Sequence, residues 1–560
     1  MISADRCLPH LDPTHLETPL FTDSSPSLRL SALIALCGTL FFSFLGLRDI
    51  WDIDEGMHAA IAQTMLLSGD WVTPVFNGEP FFDKPALFNW LNAVSFALLG
   101  FTEVAARIPA ALTGLGCVIL TWQMGRHVYD ERTGFLAGLI LATSLEFMIL
   151  SRVVQYDIPF TFFVTLTLFC FVMGIIDTNK RRLYFLGMYA AAALAVLTKG
   201  PIGIILPGMT VVIYLVLARR VHLLKELQVL PGIVIFMTIV TPWFLMMEQA
   251  NNGYLEYFVL KQHLGNFLGG EGALKPRHPE PFYYYLPILL AGILPWSALL
   301  PQSILRGWRS SHDDSNRMSL FMVIWVLAVF VFFSAATSKL STYLLPVFPA
   351  CALLIACYLS EFLDDPRKTA RRGWIIGIAC WLIPIALVAA YAIPNDPWAY
   401  WHHKSGIVWQ DFEVFIAIFS FLLLTTLVLV FLRKNIAAIA SFAATGPILA
   451  FFILLVMVPG VNAYKGAKEI SMQIDYILAD DQKIPMYGQM LDSALFYTRR
   501  DAEMIHGKEN LQRYLDTPTR RYVLIRSRAR TEAETFNGDY HVILRIGNKA
   551  IVSNQPATLR

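Results

Sequence analysis

The chain has 560 residues, of which 56% are hydrophobic and only 15% are charged. Soluble domains carry about 25% charged residues, and a single soluble core stops growing at about 250–300 residues. This composition therefore excludes an ordinary large soluble protein and favours a lipid bilayer as the surrounding medium. The formal net charge of +2 gives no strong positive field, which disfavours nucleic acid as a partner.

A polar segment, 1–28, begins the chain and is predicted to be a cytoplasmic tail. Apolar runs long enough to cross a bilayer then recur, and we predict about thirteen transmembrane helices from runs of about 17–25 residues. These are 30–47, 108–125, 134–150, 158–176, 183–198, 202–218, 229–247, 284–304, 318–335, 342–360, 374–393, 414–432 and 436–458. With the N-terminus inside, every second loop is rich in lysine and arginine, as cytoplasmic loops are. The predicted fold class is a polytopic α-helical membrane protein.

One apolar stretch, 85–100, is interpreted as a helix lying at the outer membrane interface. Counting it as a span would place all later basic loops outside, against the positive-inside rule. The first outer loop is then 48–107, and a second long outer loop is 248–283. Loops of this length are uncommon and usually functional. The predicted transmembrane domain is 29–460.

The last segment, 461–560, contains more charge and shorter apolar runs than the preceding chain. The runs 522–525 and 541–544 are typical of strands, and 464–479 is typical of an amphipathic helix. Because an odd number of spans precedes this segment, we predict a small soluble α/β domain on the outer face.

Ionisable residues are scarce in the middle of the predicted spans and gather at their outer ends. Transport proteins that move ions or protons generally need carboxylates or histidines near the bilayer centre. The distribution therefore favours a reaction at the outer interface over a central transport path.

The first outer loop carries two candidate groups. Asp54 and Glu55 follow the first span, and such carboxylates suit a general base or a metal site, although acids also favour the first turn of any helix. Asp83 and Lys84 follow two phenylalanines. A lysine there can hold a lipid phosphate or simply extend from the interface to water.

Later outer segments carry further candidates. Asp157 lies at the mouth of a span, where it could also be a helix cap. Lys199 lies in a tight turn, and Tyr343 could bind a phosphate oxygen or anchor a span. His263 and Arg277 lie in the second long loop. The predicted topology places all of these groups on one side of the membrane.

The order of these motifs resembles that of the bacterial GT-C glycosyltransferases, which are relatives of the protein O-mannosyltransferases. The resemblance is strongest to the lipid A aminoarabinose transferase group and covers 30–460. The motifs are Asp54-Glu55, Asp83-Lys84-Pro85, Arg107-Ile108-Pro109, Asp157 with Pro159, Thr198-Lys199-Gly200-Pro201, and Lys339-Leu340-Ser341-Thr342-Tyr343-Leu344-Leu345-Pro346.

The resemblance implies a GT-C fold and an inverting transfer of a sugar from an undecaprenyl phosphate carrier to an acceptor such as lipid A. The reaction is expected on the periplasmic side of the bacterial inner membrane. The implied catalytic residues are Asp54, Glu55 and Asp157. The implied ligands of the donor phosphate are Lys84, Arg107, Lys199, Arg277 and Tyr343. Asp83 and His263 correspond to positions for a divalent metal such as zinc or magnesium, and no nucleotide cofactor is implied.

Two motifs differ from the family pattern. Met57 and His58 stand where the family often has arginine and tyrosine, and Asn266 stands where an arginine often follows the histidine of the second long loop. Both changes remove cations near the expected sugar site.

Two other functions remain open. A lipid-linked sugar flippase would need a wet, cationic central cavity, which the apolar spans disfavour. A non-catalytic assembly factor that binds envelope partners through its outer domain would leave the ordered acids and lysines unexplained.

Overall fold

The computed structural model describes residues 25–258, 262, 280–310, 317–364, 373–379, 381–382, 409–526 and 540–556. Within these ranges the chain is mainly helical up to residue 477 and is mixed helix and sheet thereafter.

The first half of the chain forms helices joined mostly by short loops, with one small hairpin. The helices are α1 (Pro26–Cys37, continued by a π-helical turn, Gly38–Phe42), α2 (Asp54–Ser68), α3 (Leu87–Leu99), α4 (Glu103–Val128), α5 (Glu131–Thr143), α6 (Leu145–Leu150), α7 (Asp157–Ile176), α8 (Arg181–Lys199), α9 (Ile202–Leu217), α10 (Val229–Ala250) and α11 (Tyr254–Glu256). The hairpin is β1 (Val75–Phe76) paired with β2 (Glu79–Pro80).

The second half continues the helical part before the sheet begins. Its helices are α12 (Tyr285–Gly292), α13 (Leu300–Ser310), α14 (Arg317–Ala335), α15 (Phe348–Asp364, preceded by a 3₁₀ segment, Ser341–Val347), α16 (Trp409–Phe431), α17 (Asn435–Phe452) and α18 (Val458–Lys465).

Seven of the described helices are long and apolar enough to cross a membrane, which confirms a multi-pass membrane protein. They are Glu103–Val128, Asp157–Ile176, Val229–Ala250, Arg317–Ala335, Ser341–Asp364, Glu413–Phe431 and Asn435–Lys465. A pair bent by 112°, Phe282–Gly292 and Trp296–Ser310, would make an eighth if it counts as one span.

Other predicted spans correspond to shorter or interrupted helices. The predicted spans 30–47 and 202–218 are the shorter apolar helices Pro26–Phe42 and Ile202–Leu217. The predicted span 134–150 is divided at Ser144 into α5 and α6, and 183–198 is the single helix α8. The predicted span 374–393 lies mostly outside the described residues.

The segment 85–100, predicted to be interfacial, forms the 13-residue helix α3. At 1.5 Å per residue this helix is about 20 Å long, which is shorter than a hydrocarbon core of about 30 Å. Its length is compatible with an interfacial position, which stays a prediction.

Two helices of the first outer region begin and end as their sequences suggest. Helix α2 has Asp54 and Glu55 in its first turn, where the helix dipole favours acids. It ends at Gly69, whose φ of 73° requires the freedom of glycine. Helix α4 begins after Thr102, whose hydroxyl oxygen accepts a hydrogen bond from the Ala105 amide at 3.1 Å.

The C-terminal domain is a mixed five-stranded sheet with helices. Its elements are α19 (Lys468–Ile477), β3 (Ile484–Tyr487), α20 (Asp492–Thr498), β4 (Ala502–Ile505), α21 (Lys508–Leu515), β5 (Tyr522–Arg526), β6 (His541–Ile546) and β7 (Lys549–Ser553). The strand order is β4-β3-β5-β7-β6; β3 is parallel to β4 and β5, and β7 is antiparallel to β5 and β6. The two predicted strands coincide with β5 and β6, and the predicted helix 464–479 shortens to α19.

One apolar cluster joins this domain to residues 48–107, the predicted first outer loop. It includes Ile50 and Phe88 from the outer region and Ile470 and Ile551 from the domain, all almost fully buried. Because burial of apolar surface is the main source of such contacts, the domain is packed against the segment that contains Asp54 and Glu55.

Candidate active site

Glu55 and Arg107 form a buried ion pair between α2 and α4. The Arg107 guanidinium donates to both Glu55 carboxylate oxygens, with Nε at 3.2 Å from Oε1 and Nη2 at 3.1 Å from Oε2. The same guanidinium donates to the carbonyl oxygens of Leu45, Arg48 and Asp49 at 2.6–2.7 Å. Its donors are therefore used to hold the loop that precedes α2.

Glu55 accepts further hydrogen bonds from around this loop. Its carboxylate accepts from Arg48 Nη2 at 2.7 Å, from the Trp51 amide at 3.1 Å and from the Val154 amide at 2.9 Å. Burial alone raises the pKa of Glu55, but the charges of Arg107 and Arg48 outweigh it and bring the pKa to about 2. The structure thus places two predicted site residues, Glu55 and Arg107, in contact with each other at the wall of a cavity.

Asp54, the neighbour of Glu55, is exposed, whereas Glu55 is buried. Both residues line a cavity of about 300 Å³ whose wall combines apolar side chains with Arg48, Arg152 and Gln155. The Glu55 carboxylate is held by its bonds to the protein, so Asp54 is the more accessible of the two adjacent carboxylates.

Asp157 and Lys199 form a second buried ion pair, between the first residue of α7 and the last residue of α8. Lys199 Nζ donates to Asp157 Oδ1, and Gln155 Nε2 donates to Asp157 Oδ2 at 2.5 Å. Asp157 is 2% exposed and Lys199 is 5% exposed. The predicted second acid and a predicted phosphate ligand are thus brought directly together.

The ring of Tyr156 lies at the centre of the predicted donor ligands. Lys84 Nζ and Lys199 Nζ lie 5.7 Å and 5.5 Å from its centroid, within the range of cation–π attraction. Lys199 Nζ also lies 4.5 Å from the centroid of the Tyr343 ring. Two of the five predicted donor-phosphate ligands therefore lie against the Tyr156 ring, and a third, Tyr343, lies beside Lys199.

Tyr156 also connects this cluster with the acids. Burial, followed by the negative charges of Asp157, Asp54 and Asp83 among its neighbours, raises the pKa of Tyr156 well above its ordinary value. Tyr156 is not among the site residues predicted from the sequence. Its position directly before Asp157, at the mouth of a span, is the signal that could have identified it.

His58 provides an apolar wall beside Tyr156. The imidazole ring contacts the rings of Tyr156, Phe88 and Phe81, with centroids 4.9, 5.6 and 6.5 Å away. Burial, with a smaller contribution from Lys84, lowers the pKa of His58 to about 3, and its Nδ1 has no hydrogen-bond partner among the described residues. At neutral pH this histidine is therefore uncharged and acts as an aromatic surface.

The predicted metal ligands are only partly described. Asp83 Oδ1 accepts a hydrogen bond from Tyr257 Oη at 3.4 Å. His263 lies outside the described residues, as does the predicted phosphate ligand Arg277. Within the described ranges, no group of three or more histidine, cysteine or acidic side chains could hold a metal ion. The metal therefore stays a prediction.

Comparisons with known proteins show relatives of this chain. The family profile described as dolichyl-phosphate-mannose-protein mannosyltransferase matches residues 83–246. The undecaprenyl phosphate-alpha-4-amino-4-deoxy-L-arabinose arabinosyl transferase of Enterobacter sp. (strain 638) is 30% identical over 381 residues, which cover 66% of this chain and 67% of the relative.

Solved structures show the fold. ArnT from Cupriavidus metallidurans bound to undecaprenyl phosphate matches with a TM-score of 0.78 at 24% identity, covering 95% of this chain and 99% of that chain. The oligosaccharyltransferase of Archaeoglobus fulgidus in the apo form matches with a TM-score of 0.55 at 11% identity, covering 91% of this chain and 71% of that chain. These likenesses confirm the predicted fold class.

Proposed function

The chain belongs to the aminoarabinose transferase family of GT-C glycosyltransferases, relatives of the protein O-mannosyltransferases, and on that basis we propose that it transfers a sugar from undecaprenyl phosphate to an acceptor of the cell envelope. The reaction takes place at the periplasmic face of the bacterial inner membrane. This orientation follows from the basic loops of the sequence, which stay in the cytoplasm and so place the site on the opposite face. Lipid A is the candidate acceptor, because the relatives are named for aminoarabinose transfer.

The observation that carries this proposal is the convergence of Lys84 and Lys199 on the ring of Tyr156, with the ring of Tyr343 beside Lys199. A phosphate gains negative charge as its bond to the sugar breaks, and fixed cations at a poorly hydrated site stabilise that charge. The charge of Lys199 is matched by Asp157, and Lys84 adds a second cation on the other contact with the Tyr156 ring.

The proposed reaction is a single displacement at the anomeric carbon. An acceptor oxygen attacks from the face opposite the carrier phosphate and forms the new C–O bond. The bond between the anomeric carbon and the phosphate oxygen breaks, and its electron pair leaves with undecaprenyl phosphate. This geometry inverts the anomeric carbon.

Asp54 acts on the acceptor side of this displacement. If the acceptor is a hydroxyl, its proton passes to the Asp54 carboxylate, which serves as a general base. If the acceptor is a phosphate, it is already ionised, and Asp54 orients it or stabilises the positive charge that develops on the sugar. Glu55, held by Arg107 and Arg48, fixes the start of the helix that carries Asp54.

Mass spectrometry of envelope lipids and glycans, from cells with and without the intact gene, tests the proposal. We expect one acceptor to lose the mass of a sugar when the gene is removed, and to regain it from the wild-type gene but not from Asp54→Asn. If the only change is the leaflet in which the carrier-linked sugar accumulates, the protein is a flippase.

We also propose a divalent metal bound through Asp83 and His263, since carboxylate and imidazole ligands suit zinc. Metal analysis of purified wild-type protein and of Asp83→Asn, with an activity assay after chelation, tests this point. Wild-type protein that retains full activity without bound metal would contradict it.

A further inference from the structure

Helix α20 of the C-terminal domain contacts the segment that carries Asp54 on both sides of that residue. Before Asp54, the Ile50 amide donates to Tyr497 Oη at 2.8 Å, and Asp52 Oδ1 accepts from the Ser493 amide at 2.8 Å. All of the domain groups in these bonds belong to α20.

After Asp54, the contact is made by the backbone of Gly56. A Cβ atom placed on Gly56 would lie 2.3 Å from the Ser493 nitrogen and 2.7 Å from the Asp492 carbonyl carbon. Such distances are well inside van der Waals contact, and backbone atoms cannot move aside as cheaply as a flexible side chain. Glycine at this position therefore allows α20 to lie directly on the first turn of α2.

The contact is also tied to the membrane part of the protein. Tyr497 Oη donates to Glu103 Oε1 at 3.1 Å, and Glu103 pairs with Lys468 Nζ at 2.6 Å. Glu103 begins α4, the helix that supplies Arg107 to Glu55. Helix α20 and helix α4 are therefore linked to each other through Tyr497 and Glu103, and both also bind the segment that leads into α2.

The beginning of α2 needs such support. Its N-cap residue is Ile53, whose apolar side chain cannot accept a hydrogen bond from the first turn. Asp52, the residue before Ile53, is almost fully buried. Its carboxylate accepts the hydrogen bond from α20 through Oδ1, and its Oδ2 lies 4.0 Å from Arg526 Nη1. The position of Asp54 therefore depends on Glu55 on one side and on α20 on the other.

We propose that α20 is a positioning element of the active site, which sets Asp54 relative to the donor sugar through Asp52, Gly56 and Tyr497. This inference rests on the proposed function, because its main measurement is sugar transfer. It assigns the C-terminal domain a role in turnover that is separate from donor binding, since Lys84, Lys199 and Tyr343 all lie outside the domain. A misplacement of about 1 Å can lower a rate by about 10²-fold.

The first test compares two substitutions of Asp52. Asp52→Asn keeps a carbonyl oxygen that can accept from the Ser493 amide, whereas Asp52→Ala removes it. We expect Asp52→Asn to retain most of the wild-type kcat and Asp52→Ala to lose about 10²-fold, with unchanged donor affinity in both. Equal losses in the two variants would mean that the charge of Asp52 matters and not the bond to α20, which would overturn the proposal.

The second test uses the close approach at Gly56. Gly56→Ala should push α20 away and lower kcat by about 10²-fold at unchanged donor affinity. Gly38→Ala is the matched control, because a Cβ there meets no heavy atom of the described residues within 4 Å. Turnover of Gly56→Ala equal to that of Gly38→Ala, or a loss of donor affinity as large as the loss of kcat, overturns the positioning role.

If Gly56→Ala does not fold, Tyr497→Phe provides the same test with a smaller change. It removes the bonds to Ile50 and Glu103 and keeps the ring, while Tyr476→Phe alters a side chain that is 90% exposed. We expect lower kcat only in Tyr497→Phe; equal turnover in the two variants contradicts the proposal. Wild-type protein that transfers no sugar from undecaprenyl phosphate would instead refute the proposed function, so the two failures are distinct.

Discussion

Asp54 and Glu55 are adjacent in the sequence but have opposite surroundings, and this difference separates their expected roles. Asp54 is exposed beside a cavity, whereas Glu55 is 4% exposed and fully used in bonds to the protein. A carboxylate that must act on a substrate needs access, and a carboxylate that must fix a loop needs partners. We therefore expect Asp54 to act on the substrate and Glu55 to fix the loop.

Asp54→Asn keeps the shape of the side chain and removes its charge and its ability to accept a proton. We expect sugar transfer to fall by about 10²–10⁴-fold, the usual loss for a general base. Donor binding and the unfolding temperature should remain near those of the wild-type protein. Transfer at a near-wild-type rate would remove Asp54 from the mechanism.

Glu55→Gln should act through stability instead. Removing one partner of a buried ion pair costs about 3–5 kcal/mol, because Arg107 and Arg48 would remain buried without a counter-charge. The pKa of Glu55 lies at about 2 in the folded protein, below its ordinary value of 4.5. Its stabilisation is therefore complete above pH 4.5 and is lost as the pH falls from 4.5 towards 2.

Thermal unfolding in detergent at pH 7 and at lower pH measures this effect. The unfolding temperature of Glu55→Gln should lie well below that of the wild-type protein at pH 7, and the difference should shrink as the pH falls below 4.5. A difference that does not depend on pH would contradict the charge-based explanation.

Lys84→Ala tests the donor site at the level of one side chain. A hydrogen bond to a charged group is worth about 1.5–3 kcal/mol, so affinity for undecaprenyl phosphate should fall by roughly 10- to 100-fold. Lys483→Ala, which alters an exposed lysine of the C-terminal domain, is the control. If the two variants bind undecaprenyl phosphate with equal affinity, Lys84 does not bind the phosphate and only anchors its loop at the membrane interface.

Pairs of elements, and not single residues, decide the environment of Asp157 and Lys199. Asp157 begins α7 and Lys199 ends α8, and the two meet although they lie 42 positions apart in the sequence. Asp157→Asn or Lys199→Gln alone leaves a buried charge without its partner, which costs about 3–5 kcal/mol. The double variant removes both charges and should recover most of the lost stability.

A double-mutant cycle with transfer as a second measurement separates a functional role of this pair from a structural one. If either side chain takes part in donor binding or in the reaction, the double variant should regain the unfolding temperature but not the turnover. If both are regained together, the two residues serve only to neutralise each other.

Some of these elements could be predicted from the sequence and others could not, for physical reasons. Length and hydropathy are local properties, so the long apolar helices and the strands β5 and β6 could be predicted. Partners are not local: Arg107 pairs with Glu55 over 52 positions and Ser493 bonds to Asp52 over 441 positions. Tyr156 and His58 gain their roles only when α2 and α7 come together, because an aromatic residue near a membrane is otherwise most simply an interfacial anchor.

At the scale of the whole molecule, the contact between the C-terminal domain and the first outer region constrains the topology. The Asp52 amide donates to the Lys465 carbonyl at 3.1 Å, and Trp51 forms a bridge with Gly466. The two segments must therefore lie on the same side of the membrane. The chain between them has to cross an even number of times, and the predicted spans after the first satisfy this condition.

Labelling of intact cells tests both this parity and the orientation. A reporter fused after Arg560 and a thiol label at Glu79→Cys, an exposed position of the first outer region, should both report the periplasm. A label at Arg182→Cys, an exposed position in the basic first turn of α8, should report the cytoplasm, because basic segments stay inside. A cytoplasmic reporter with a periplasmic Glu79→Cys would contradict the docking of the domain. Inversion of all three signals would keep the docking and reverse the face of the membrane on which Asp54 acts.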